Sequence, residues 1–110
     1  MYQVFDSKQG RMVDRDFNNL AEMQEFVGGS VEFCHFGKNI GMYLNENGIN
    51  LKLTPTVVFL RGVGPQIFYG NAIFGKMDKN GNLKKVTDAE LNKYVSSFVD
   101  PELNNCRFFV

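Results

Sequence analysis

The sequence predicts one α+β domain over residues 1–110, a mainly antiparallel sheet covered by two helices. Three features point there: short runs that alternate apolar with polar residues, two amphipathic segments opened by capping residues, and Asn/Gly turn signals between them. At 110 residues the chain has room for one hydrophobic core, and eleven Phe set it apart from disordered chains.

Residues 2–5 read as a first strand, and the polar 6–11 segment with Gly10 turns the chain into Met12-Val13 as a hairpin. Asn18 and Asn19 cap a helix that runs to Val27, with Leu20, Met23, Phe26 and Val27 on one side and capping-box spacing from Asn19 to Glu22. Gly28-Gly29 ends it. Residues 30–36 then alternate, with Val31, Phe33 and His35 on one face and Glu32, Cys34 and Phe36 on the other. Apolar side chains on both faces predict an internal strand.

Residues 40–44 repeat the strand period, and Asn45-Glu46-Asn47-Gly48 is a hairpin signal that should return 49–53 beside 40–44. After Thr54-Pro55-Thr56, residues 57–60 form a short apolar run that suits a buried strand. Residues 67–75 read as a strand that bends at Gly70, and Asp78-Lys79-Asn80-Gly81 closes a ribbon between 74–77 and 83–86. Thr87 and Glu90 have capping-box spacing, with Val86 and Leu91 at the staple positions. Leu91, Tyr94, Val95, Phe98 and Val99 continue that helix until Asp100-Pro101. The 101–110 segment is an edge strand or a docking tail.

Twelve Lys and Arg balance twelve Asp and Glu, which argues against gripping nucleic acid by bulk charge. Residues 61–85 nevertheless hold Arg61, Lys76, Lys79, Lys84 and Lys85 against Asp78 alone. No apolar run approaches the roughly 18 residues that cross a bilayer, and the first residues lack the pattern of a signal peptide. The expectation is a cytoplasmic protein without a membrane partner, monomeric or a small homo-oligomer, whose Cys34 and Cys106 are reduced thiols. No metal-ligand spacing occurs, and Gly62, Gly64 and Gly70 do not form a phosphate loop, so neither metal nor cofactor is expected.

Four segments carry a resemblance. Residues 20–32 contain Val27-Gly28-Gly29 followed by Glu32; the others are Asn45-Glu46-Asn47-Gly48, Leu53-Thr54-Pro55-Thr56, and Ile67-Phe68-Tyr69-Gly70-Asn71-Ala72. Over about residues 19–99 the chain resembles an uncharacterised family of small proteins from bacteriophages, conjugative plasmids and other mobile elements. The family often has Asn after a Leu-Pro-Pro stretch, where this chain has Thr56. The resemblance implies a mobile-element accessory protein and no established reaction.

Three classes of function follow. The first is protein–protein interaction, as a regulator or inhibitor of a host or element-encoded protein, with Glu32, Asn45, Glu46, Arg61, Tyr69 and Phe109 as candidate contacts. Docking surfaces for it are the 45–48 turn, the 61–66 loop and the C-terminal tail. The second is nucleic-acid binding through Arg61, Lys76, Lys79, Lys84 and Lys85, with Phe68, Tyr69 or Phe74 stacking on bases. The third is a small enzyme using Glu32, His35 and Tyr43, although no catalytic constellation is recognisable. The interaction class is preferred, with no catalytic residue assigned.

Overall fold

The computed structural model describes residues 1–37, 39–48, 51–60, 64–96, 103 and 106–110. The elements among them are β1 (Tyr2–Asp6), β2 (Arg11–Arg15), α1 (Leu20–Val27), β3 (Val31–His35), β4 (Ile40–Asn45), β5 (Pro55–Phe59), β6 (Gln66–Tyr69), β7 (Ala72–Met77), β8 (Leu83–Lys84), α2 (Asp88–Asn92) and β9 (Arg107–Phe109). This is the expected α+β class with two helices, but the strands form two sheets rather than one. The larger has the order β2-β1-β7-β4-β3, with β8 on the end of β7; the smaller has the order β6-β5-β9. The strand pairs are antiparallel except β5 with β9, which is parallel.

Two layers on opposite faces of the larger sheet explain why its central strands lack polar alternation. Successive side chains on a strand point to opposite faces. Val4, Tyr43 and Ile73 therefore pack with Met23 and Val27 of α1, whereas Phe5, Met42, Leu44, Ala72 and Phe74 pack toward the smaller sheet. Between the sheets the Phe36 ring stacks on Phe109 at 4.6 Å and meets Phe59 edge-on at 4.8 Å, while Phe74 lies 5.3 Å from Phe109. Aromatic rings of this kind bury the largest apolar areas a side chain offers, and here they join the two sheets.

The crossing between sheets falls at Gly70, where one continuous strand was expected. Its φ of 86° lies in the left-handed region, and a Cβ there would stand 2.6 Å from Leu53 Cδ1. The 67–75 strand is therefore divided: β6 stays in the smaller sheet and β7 enters the larger one.

Residues 51–53 do not lie beside β4, because β3 and β7 already occupy both of its edges. Neither Asn47 nor Gly48 adopts the positive φ of a tight hairpin; Lys52 does, at 55°. Leu51 N donates to Asn47 O and Leu53 N to Gly48 O, so the chain turns where a strand was expected; residues 49 and 50 lie outside the described residues. The 30–36 strand is not internal either: β3 is the edge of the larger sheet.

The second helix starts as expected. Thr87 Oγ1 accepts from Glu90 N at 3.1 Å, Thr87 N donates to Glu90 Oε1 at 3.0 Å, and Val86 and Leu91 are buried. It ends at Asn92, well before the expected stop. The backbone of the next residues is taken up by β9: Ser96 N donates to Phe108 O, Val110 N donates to Tyr94 O, and Val95 bridges Phe109. Phe98, Val99 and the Asp100-Pro101 stop lie outside the described residues. Of the two readings of the tail, the strand is the one observed, with Phe108 and Phe109 buried.

Lys76 of β7 ties the start of α2 to the sheet by an ion pair of 2.8 Å with Glu90. That hydrogen bond, helped by the Thr87 amide, holds the Glu90 carboxyl down at about 2 from its ordinary 4.5. A depressed carboxyl stabilises the fold fully above its unfolded value and loses that contribution as pH falls through the folded one. Urea unfolding between pH 4.5 and 2 should therefore show less acid destabilisation for Lys76→Met than for the parent chain. Identical pH profiles would contradict the pairing.

Candidate functional site

The site is built outward from the C-terminus of α1. A helix leaves its last four carbonyls without partners inside the helix, and burial makes an unmatched carbonyl costly. Here all four are matched. Gln24 O accepts from Gly28 N at 2.9 Å and Gly29 N at 3.0 Å, and Glu25 O accepts from Gly28 N at 3.2 Å. Phe26 O accepts from Asn71 Nδ2 at 2.8 Å, and Val27 O accepts from Asn45 Nδ2 at 3.1 Å. The left-handed φ of Gly28, 87°, makes the turn. A Cβ on Gly29 would lie 3.2 Å from Asn45 Nδ2, so the second glycine leaves space for the amide.

The same two asparagines fix the chain around them. Asn45 Oδ1 accepts from Asn47 N at 2.8 Å and steers the chain out of β4, while Glu46 N donates to Ser30 O at the end of β3. Asn71 Oδ1 accepts from Ser7 N at 2.7 Å. Next to it, Gly70 N donates to Thr54 O at 2.7 Å, and the buried Thr56 hydroxyl donates to Gly70 O at 2.6 Å.

This arrangement leaves an open cleft of about 320 Å³ between the β3 edge of one sheet and the β6 edge of the other. Buried Leu44 and Phe68 form its floor; exposed Glu32, Glu46 and Gln66 and half-buried Tyr69 stand around it. Glu32 lies opposite Leu44 in the β3–β4 register and so shares the face that looks toward the smaller sheet. Among the described residues no cation comes within 4.0 Å of Glu32 or Glu46.

Four of the six residues singled out for protein contact, Glu32, Asn45, Glu46 and Tyr69, line this cleft. Asn45 is buried and its amide is engaged with Val27 and Asn47, so its part is to shape the turn. Phe109 lies in the core rather than on a surface, 1% exposed. Arg61 lies outside the described residues. Gln66 ends the 61–66 loop expected to dock a partner, and Phe68, expected as a base-stacking residue, is instead buried in the cleft floor; the sheet crossing brings both to the cleft. Asn71 sits inside a resemblance segment, but only the fold reveals its bond to α1.

The described basic residues of the expected nucleic-acid set, Lys76, Lys79, Lys84 and Lys85, are not gathered into one unpaired surface. Lys76 faces Glu90, Lys84 lies 3.9 Å from Asp78, and Lys85 lies 3.7 Å from Asp16, while Lys79 is exposed. Phe68 and Phe74 are buried, which leaves the half-buried Tyr69 as the accessible member of the expected stacking set.

Glu32, His35 and Tyr43 do not share a cleft either. Glu32 is on the face toward the smaller sheet, whereas Phe33, Tyr43 and, by strand alternation, His35 are on the α1 face. Burial, with Tyr2 nearby, pushes the Tyr43 phenol above its ordinary value. Cys34 and Cys106 are not bridged, and burial pushes the Cys106 thiol up, away from an activated thiolate. Among the described residues there is no group of His, Cys, Asp and Glu able to hold a metal, and no helix long and apolar enough to cross a membrane.

Fold and site together define a small two-sheet α+β domain with a cleft between sheet edges. The family profile described as domain of unknown function (DUF3846) matches residues 3–99, and the chain belongs to that family. No curated protein and no solved structure matches the chain.

The segments behind the resemblance meet in the hydrogen-bonded cluster at the end of α1. The Thr56 hydroxyl has a structural polar role there. Thr56→Val, which keeps the shape and removes the donor, should lower unfolding free energy by about 1–3 kcal/mol in urea titrations, while Thr56→Ser retains more of it. Equal stability of Thr56→Val and the parent would refute this role.

Proposed function

We propose that the chain acts by protein–protein interaction, as a mobile-element accessory protein that regulates or inhibits a host or element-encoded target. The mobile-element context rests on the resemblance of its sequence segments. The interaction reading rests on one observation: Glu32, Glu46 and Tyr69, well separated in sequence, stand around a single open cleft with a buried apolar floor. A partner side chain seated on Leu44 and Phe68 would supply apolar burial, and the two carboxylates would set its orientation.

Affinity capture from the native host, comparing the parent chain with single variants, tests the reading. A protein target should be retained by the parent and by Lys79→Glu, and bound about tenfold more weakly after Glu46→Lys or Tyr69→Ala. Unchanged thermal unfolding of the exposed Glu46 variant separates lost recognition from lost folding. Retention of nucleic acid that depends on Lys84 and Lys85, or a target indifferent to both cleft changes, would overturn it.

A further inference from the structure

We infer that β3 receives an extended segment of another protein as an added antiparallel strand, with a Lys or Arg of that segment lodged against Glu32 and Glu46. The inference rests on the interaction reading of the cleft and adds how the partner is held and what chemistry it carries.

The backbone is set up for it. Glu46 N donates to Ser30 O and Phe36 N donates to Ile40 O, so residues 30, 32, 34 and 36 direct their backbone groups at β4. Alternation then turns the N–H and C=O groups of Val31, Phe33 and His35 outward. Among the described residues no strand lies on that side. The pairing with β4 runs in register without a bulge, and β3 contains neither Lys nor Pro, the residues that commonly blunt an edge. Its apolar side chains lie on both faces, Phe33 and Val31 packing on the α1 side and Cys34 on the side of the smaller sheet, while Glu32 and His35 are exposed.

Glu32 selects what can pair there. In an antiparallel ladder using the outward groups of Val31, Phe33 and His35, Glu32 falls at a non-hydrogen-bonded position, where facing Cα atoms approach to roughly 4.5 Å. A side chain of the incoming strand opposite Glu32 would lie on the cleft face, within reach of Glu46. Opposite charges at such a cross-strand position stabilise the pair, and like charges oppose it. No described cation satisfies either carboxylate. A second copy of this chain fits less well, because two-fold pairing of β3 places both copies' Glu32 and Glu46 on one face of the seam.

Selection from a displayed library of short random peptides, using the whole chain as bait, tests the inference. The recovered peptides should carry Lys or Arg among alternating β-branched residues and slow amide exchange at Val31, Phe33 and His35. Combining Glu32→Gln with Glu46→Gln should weaken them about tenfold. Phe33→Pro should abolish binding; if that variant fails to fold, N-methylation of alternate peptide residues makes the same test, one phase abolishing binding and the other sparing it.

Peptides that bind at Glu46 and Tyr69 without protecting β3 would overturn strand addition and leave the interaction reading standing. Recovered peptides without basic residues would overturn the proposed partner chemistry. Protection that arises from a concentration-dependent dimer would do the same. Recovery of no peptide at all would count against both the strand and the cleft.

Discussion

The C-terminus of α1 governs this molecule, because a short helix pressed onto a sheet must find partners for four carbonyls at the place where the chain leaves it. Two glycine amides serve Gln24 and Glu25, and two asparagine amides, from the end of β4 and the start of β7, serve Phe26 and Val27. Each asparagine also accepts a backbone hydrogen bond from another segment. One cluster thereby fixes where the chain leaves β4 and where it passes from the smaller sheet into the larger. The cleft is bounded by both of those places.

Local chemistry was legible wherever one short segment decides the outcome. Asn19 caps α1, Thr87 and Glu90 form a reciprocal capping box, and Gly28 ends a helix in the left-handed conformation. The first hairpin and the β7–β8 ribbon were likewise legible from their turns. Competition between distant segments was not. Asn47-Gly48 suits a hairpin taken alone, but β7 occupies the edge of β4 that a returning strand would need. Tyr94 and Val95 continue the apolar spacing of a helix, yet β9 captures their backbone. Val31 to His35 has apolar side chains on both faces, which suits an internal strand, yet it lies at an edge, and no local propensity encodes how many neighbours a strand has.

The candidate site was legible in its parts and hidden as a whole. Glu32, Glu46 and Tyr69 stand out in sequence through the segments around them, but their convergence depends on two sheets facing each other, where one sheet was expected. The same segments also hold Asn45, Asn71, Thr56 and Gly70, whose hydrogen bonds are structural. These segments therefore hold α1 in place, and the proposed recognition falls to the exposed carboxylates beside that cluster.

A double-mutant cycle with Asn45→Ala and Asn71→Ala tests this account most directly, with stability read from urea unfolding. Each single change should cost about 1–3 kcal/mol, since it strips a carbonyl of its partner. The double variant should cost less than the sum by at least about 0.5 kcal/mol, because the last turn of α1, once loosened by one loss, has less to lose to the other. Strict additivity, or single changes without effect, would mean that the two amides do not hold the helix end as one unit.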